Sequence, residues 1–398
     1  MRYWLTGPAL GVLFLIGCGG GGGGGGISGP PATATLSGIV MEAGTSTPLA
    51  GATVSLGSSS TISGANGQFQ LQNVPVGIGL SLAVSAPGFA AVTQSVDVRA
   101  GANSMNVSLV RNGLYELSDY LVYLPPQVTT YRGVFVVMFG GTVDTRPLLR
   151  GDLSYYQAFP FSGDVAGYRL RMLDFARNHG FAVVGAAFGA QARGAEAYAS
   201  LMNAVNTAGS QAGHVELASA PFILHGHSAT ACFAYEFAVA HPNRTIGFIA
   251  AKSSCTTDPG AAVAVPGYFF FGENDPVVSA GVNAQMRLHV EQNRARGALW
   301  AFAIEPRAGH EQVANQTLLF RWITTLATLR LAPAGSALQP LSEAAGWLGD
   351  HTTFAIATYP SFTGSPNSAS WLPTLETAQD WKALVQVGSG SSRFASRE

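Results

Sequence analysis

The sequence predicts a small all-β sandwich followed by a doubly wound, mostly parallel α/β sheet. Three observations carry this. Between residues 34 and 111 apolar and polar residues alternate and turn residues recur at short spacing, as in a run of short half-buried strands. From 112 to 332 short apolar runs alternate with longer helical patterns, the rhythm of βα units on a parallel sheet. Of the 398 residues, 47% are apolar, enough for a sizeable core.

The first stretch belongs to neither domain. Met1-Arg2 is a minimal positive region, followed by apolar residues from Ala9 to Ile16. These are too few for a bilayer span, which needs about 20, so residues 1–17 read as a signal peptide. Leu15-Ile16-Gly17-Cys18 resembles a bacterial lipobox, which implies that Cys18 is lipidated and becomes the new N-terminus. An ordinary signal peptide with a stray Cys is the alternative. Gly19 to Gly26 come next without a break, and such a run serves as a flexible tether. Residues 18–33 are therefore expected to link an exported cell-envelope lipoprotein to its membrane. Charged residues are only 11%, against about 25% in an average domain. Lys plus Arg (21) and Asp plus Glu (22) nearly cancel, which excludes the basic footprint of a nucleic-acid binder.

In the sandwich, Ala52, Val54 and Leu56 alternate with Thr53 and Ser55. Asn66-Gly67 is a hairpin signal, and Phe69 and Leu71 resume the alternation. Pro75-Val76-Gly77 and Pro87-Gly88 punctuate later strands, and Val96, Val98, Met105, Val107 and Leu109 close the run. The region has no His, Lys or Cys and only two acids, Glu42 and Asp97, so no catalytic set is present. Ser37-Gly38-Ile39-Val40, Pro48 to Val54, Gly64 to Phe69 and Pro87-Gly88-Phe89 resemble the carboxypeptidase regulatory-like (transthyretin-like) domain. That resemblance implies a spacer or a binding module.

In the second domain, strands are expected at 120–124, 133–139, 181–188, 222–224, 246–251, 267–271 and 299–304. Helices are expected at 166–178, with Leu170, Leu173 and Ala176 on the buried face, and at 196–208, 229–240, 280–295 and 313–329. Chemistry is expected at the carboxyl ends of the strands. There Gly226-His227-Ser228-Ala229-Thr230 joins a strand to a helix, the context of a nucleophile elbow, in which a strained turn projects the Ser. Gly226 suits the close approach; Thr230 stands where Gly is usual and is expected to be tolerated. Asp275, in Gly272-Glu273-Asn274-Asp275, and His310, in Ala308-Gly309-His310, come after the next strands. Ser needs a His as general base, and the His needs a carboxylate to fix its tautomer. Glu273 and, more remotely, Asp258 are alternatives to Asp275. His225 and His227 flank the elbow and are expected to line the site or pack. His179, His214, His241, His289 and His351 read as surface residues. The oxyanion donors are expected to be the N–H groups of Ala229 and of Gly141, with Thr142 as the alternative to Gly141.

The order Ser228, Asp275, His310 and its strand-end context resemble the α/β-hydrolase superfamily. Within it, Tyr120 to Pro125 and the elbow are similar to dienelactone hydrolase and polyhydroxybutyrate depolymerase-type esterases. The resemblance implies a serine hydrolase acting on esters, small or polymeric, through an acyl-enzyme; no H-E-x-x-H or paired C-x-x-C is present, so no metal or cofactor is expected. A serine peptidase and a binding lipoprotein with an inactive hydrolase domain are the competing readings. Only 13 residues, Ser253 to Val265, occupy the usual place of a lid. Tyr155, Tyr156, Phe159 and Phe161 form either an aromatic wall over the site or ordinary core. Cys232 and Cys255 are either a disulfide or two buried thiols; the exported context favours the disulfide. Residues 333–387 hold three of the six Trp, a density that needs burial against the catalytic domain. Residues 388–398 read as a disordered tail.

Overall fold

The computed structural model describes residues 33–43, 47–159, 163–187, 193–311, 315–332 and 338–387. The expected signal peptide, Cys18, the glycine run, Phe161 and the tail lie outside the described residues.

Eight strands build the sandwich: β1 (Thr33–Glu42), β2 (Thr53–Leu56), β3 (Ser59–Ile62), β4 (Gln68–Pro75), β5 (Gly77–Ser85), β6 (Val92–Val98), β7 (Gly101–Ser104) and β8 (Val107–Leu109). One sheet runs β4-β1-β7, with β8 also on β1; the other runs β3-β2-β5-β6. Val54, Leu56, Phe69, Leu71, Leu82, Val84, Val107 and Leu109 fill the space between them, as period-2 patterning requires. The Asn66-Gly67 turn does not make the expected hairpin. It carries the chain from β3 in one sheet to β4 in the other, and the tight hairpin is β2–β3. The sandwich is tied to the second domain at their junction. Gly88 N–H donates to Leu114 O (2.9 Å) and Asn112 N–H to Gly88 O (2.8 Å). Arg111 pairs with Glu42 through two hydrogen bonds and lies over the Phe89 ring.

The second domain is an eight-stranded sheet. In chain order its elements are β9 (Leu114–Leu117), β10 (Tyr120–Tyr123), β11 (Gly133–Met138), α1 (Arg146–Arg150), α2 (Val165–His179), β12 (Phe181–Ala186), α3 (Ala195–Ala212), β13 (Phe222–His227), α4 (Ala231–Ala240), β14 (Thr245–Ala251), β15 (Gly267–Gly272), α5 (Ala280–Arg294), β16 (Trp300–Glu305) and α6 (Gln316–Arg330). The strand order is β16-β15-β14-β13-β11-β12-β10-β9, parallel except where β10 meets β9 and β12. Every residue of β11 to β15 is buried, because helices cover both faces. On one face Phe135, Val137 and Ile223 pack with Tyr168, Met172 and Phe175 of α2 and Leu319, Ile323 and Leu326 of α6. On the other, Val134, Val136 and Leu224 pack with Leu201 and Val205 of α3 and Phe233 and Phe237 of α4. One expectation fails here: Leu170 is 60% exposed. The buried face of α2 is set by Tyr168, Met172, Leu173, Phe175 and Ala176, one step around the helix.

The C-terminal segment packs on this domain. It forms β17 (Trp347–Asp350), β18 (Ile356–Thr358), β19 (Ala369–Leu372) and α7 (Leu375–Val387), a small sheet and helix laid along the outer edge of β16. Phe302 N–H donates to Ser370 Oγ (2.8 Å) and Phe302 O accepts from Trp381 Nε1 (2.8 Å), so backbone groups at an open sheet edge are paired by side chains. His351 and His289 are buried, contrary to the surface expectation. His351 bridges Glu291 and Ser370, and His289 stacks on Trp300.

Candidate active site

The site is built where the strands end. Ser228 comes directly after β13 and has φ +55°, a left-handed conformation that costs a non-glycine residue about 1–3 kcal/mol. Two glycines permit it. A Cβ on Gly226 would meet Thr230 O at 2.2 Å, and one on Gly140 would meet Ser228 Cβ at 2.4 Å and Ala229 N at 2.7 Å. Gly140, at the end of the β11 segment, is thus the residue pressed against the elbow. Its close approach to the elbow was not foreseen from the sequence; the neighbouring Gly141, expected as an oxyanion donor, is exposed with φ +68°. Thr230 has a place of its own. Its hydroxyl donates to Met138 O (2.8 Å), lies 3.0 Å from His227 O and accepts from His227 N–H (3.2 Å). A Gly could not tie the end of β11 to the elbow in this way.

His310 and Asp275 are brought together. His310 Nδ1–H donates to Asp275 Oδ2 at 2.7 Å, with the Asp275 side chain fully buried. Asp275 Oδ1 accepts from Val277 and Val278 N–H (2.8 and 2.9 Å). The carboxylate is therefore held as an acceptor, and the tautomer it selects places the basic lone pair of His310 on Nε2. The His310 ring lies 4.7 Å from that of His227, next to Ser228. Glu273 points elsewhere: its Oε2 accepts from Arg307 N–H (2.8 Å). Asp258 is exposed and pairs with Arg296.

His225 and His227 are both buried. Burial pushes His225 down to about 3; its Nδ1 lies 2.7 Å from Tyr168 Oη. Burial, reinforced by His310 and Lys252, holds His227 well below the usual histidine range. Both are neutral in neutral solution. Tyr155, Tyr156 and Phe159 make core rather than a wall: Tyr156 Oη donates to Asp144 O and accepts from Leu148 N–H, bracing the loop after β11, and Tyr156 packs on Phe139. Cys232, on α4, and Cys255, after β14, are joined in a disulfide with Cα atoms 5.2 Å apart.

Lys252 is the site feature that sequence reasoning missed. It comes just after β14, is fully buried, and donates to Gly309 O (2.6 Å) and Glu311 Oε2 (3.0 Å). The available signal was its rarity, since the chain has only two lysines and this one stands at the end of an apolar strand. Among the described residues no group of three His, Cys, Asp or Glu is arranged to hold a metal.

Residues 35–110 match the carboxypeptidase regulatory-like domain. The second domain has an α/β-hydrolase-like fold, with a mostly parallel sheet and the elbow after its central strand β13. No curated protein matches the chain. Among solved structures, the chain is similar to a cohesin-X-dockerin complex of Acetivibrio cellulolyticus (19% identity over 20% of this chain and 59% of that one, TM-score 0.18). It is also similar to the fluorophosphonate-binding serine hydrolase FphF of Staphylococcus aureus (12% identity, 52% of this chain, 91% of that one, TM-score 0.37). A third is an esterase of Pyrococcus furiosus (10% identity, 54% of this chain, 89% of that one, TM-score 0.38).

Proposed function

We propose that this protein is a serine hydrolase that cleaves carboxylic esters. The observation that carries the reading is the 2.7 Å hydrogen bond from His310 Nδ1 to the buried Asp275; it is supported by the His310 ring lying 4.7 Å from that of His227, the residue before Ser228, and by Ser228's φ of +55°. In this reading Ser228 Oγ attacks the ester carbonyl and its proton passes to His310 Nε2. The N–H groups of Ala229 and Gly141 receive the oxyanion. The alcohol leaves with the proton from His310, forming the acyl-enzyme. Water, deprotonated by His310, then releases the acid and restores Ser228. Asp275 stabilises the imidazolium without itself taking a proton.

The connection between β14 and β15 holds only a short 3-10 turn, Gly260–Ala264. This supports access by bulky or polymeric esters. The lipidation of Cys18 and placement at a bacterial envelope membrane belong to the same proposal and rest on the sequence alone. The test is hydrolysis of acyl esters of rising chain length, a polyester film and a peptide, by wild type and Ser228→Ala. Ester cleavage that disappears in the variant is expected. Cleavage of the peptide alone, or ester turnover that survives in Ser228→Ala, would overturn the reading.

A further inference from the structure

We infer that Lys252 is a positioning residue for His310, acting through Gly309 and Glu311; this rests on the reading of His310 as the general base. The chain leaves β14 at Lys252 in a left-handed conformation, φ +57°, with its N–H donating to Phe270 O of β15 (2.7 Å). The Lys252 side chain is fully buried. The ammonium lies 5.6 Å from the Phe270 ring centroid and reaches the two residues that flank His310. On one side it donates to Gly309 O at 2.6 Å; on the other, to Glu311 Oε2 at 3.0 Å. Glu311 Oε1 in turn accepts from Gly309 N–H at 3.1 Å. One buried cation thus grips the backbone before His310 and the side chain after it.

The opposite side of the loop is also fixed. A Cβ on Gly272 would stand 2.4 Å from Gly309 O and 2.5 Å from Ala308 O, so β15 presses directly against the loop. Asp275 sets the rotation of the imidazole, whereas Lys252 and Gly272 set where its backbone sits. Desolvating an ammonium is costly unless it is well paired. If the space needed only filling, Met would serve without that cost. The charge has a purpose in holding a loop that must keep His310 within a fraction of an ångström of its working position, since about 1 Å of misplacement costs roughly a hundredfold in rate.

The test uses the full chain, with Lys252→Met, Glu311→Gln, the double variant and Ser228→Ala. A fluorophosphonate titrates competent sites, so that rates refer to folded enzyme. Lys252→Met is expected to lower kcat per titrated site roughly tenfold to a hundredfold with KM within about twofold. Glu311→Gln keeps its size and is partly exposed, so it folds even if Lys252→Met does not; it should lower kcat severalfold. The double variant should be no worse than Lys252→Met, because the two groups act as one unit. If Lys252→Met and Glu311→Gln both keep the wild-type kcat per site, or lose only thermal stability, the inference is wrong and the hydrolase reading stands. If labelling does not depend on Ser228, the hydrolase reading falls and this inference with it.

Discussion

At Ser228 the backbone torsion φ +55° sets the residue apart from an ordinary serine, and Gly140 and Gly226 make that torsion possible by close approach. Ser228→Ala should leave the circular dichroism unchanged while removing fluorophosphonate labelling and lowering kcat roughly a millionfold. Asp275→Asn should cost about ten-thousandfold, by leaving His310 in the wrong tautomer. Glu273→Gln should be mild, because that carboxylate serves Arg307 N–H; a dead Glu273→Gln beside an active Asp275→Asn would move the acid role. The neutral histidines beneath the elbow add a pH dependence. The folded value of His225, about 3, lies below its unfolded value near 6.5. Its contribution to stability is complete above about pH 6.5 and is lost as pH falls toward 3, at about 1.4 kcal/mol per unit. His227 acts in the same direction. Urea unfolding at pH 7 and pH 5 should show this fall, and His225→Asn should flatten it; an unchanged slope in that variant would exclude His225 as its source. The sequence pointed to Ser228, Asp275 and His310 because each comes after an apolar strand. It did not reveal that Gly140 presses against the elbow, because that contact joins two segments nearly ninety positions apart and leaves no local pattern.

Elements whose burial shows up as periodicity were legible; contacts made across the fold were not. The strands of the parallel sheet stand out as unbroken apolar runs because helices cover both their faces. Helix α2 was placed well, but its buried face was misassigned: Tyr168 and Met172 face the core while Leu170 meets solvent. Hydrophobicity alone does not favour Tyr over Leu there, and the hydroxyl of Tyr168 reaching His225 does. Trp density marked 333–387 as buried, yet nothing local says that Ser370 and Trp381 pair the edge of β16. Ser370→Ala should strand the Phe302 N–H and cost about 1–3 kcal/mol in denaturant unfolding, with the His310–Asp275 pair intact. The Cys232–Cys255 bridge spans 23 positions, for which loop-closure entropy gives about 3 kcal/mol. Thiol titration of the unfolded, non-reduced protein should find neither cysteine free, and reduction should lower stability by about that amount.

On the scale of the whole chain, a sandwich with no His, Lys or Cys in its sequence is fastened to an α/β-hydrolase-like domain through Gly88, Asn112 and Leu114. If Cys18 carries the proposed anchor, Cys18→Ser should move the enzyme from the membrane to the soluble fraction without changing kcat; a variant as firmly bound as wild type would exclude the anchor. The hydrogen bonds at the junction predict that the two domains move together.

The pairing of β1 has a mechanical consequence. Any pull that reaches the fold through residue 33 enters β1, which is bonded to β4 along one edge and to β7 and β8 along the other. Tension along that strand loads both ladders in shear, so many hydrogen bonds share it instead of parting one by one as a peeled edge strand would. The sandwich then gives way to such a pull only when both ladders shear together, not by unzipping from one edge.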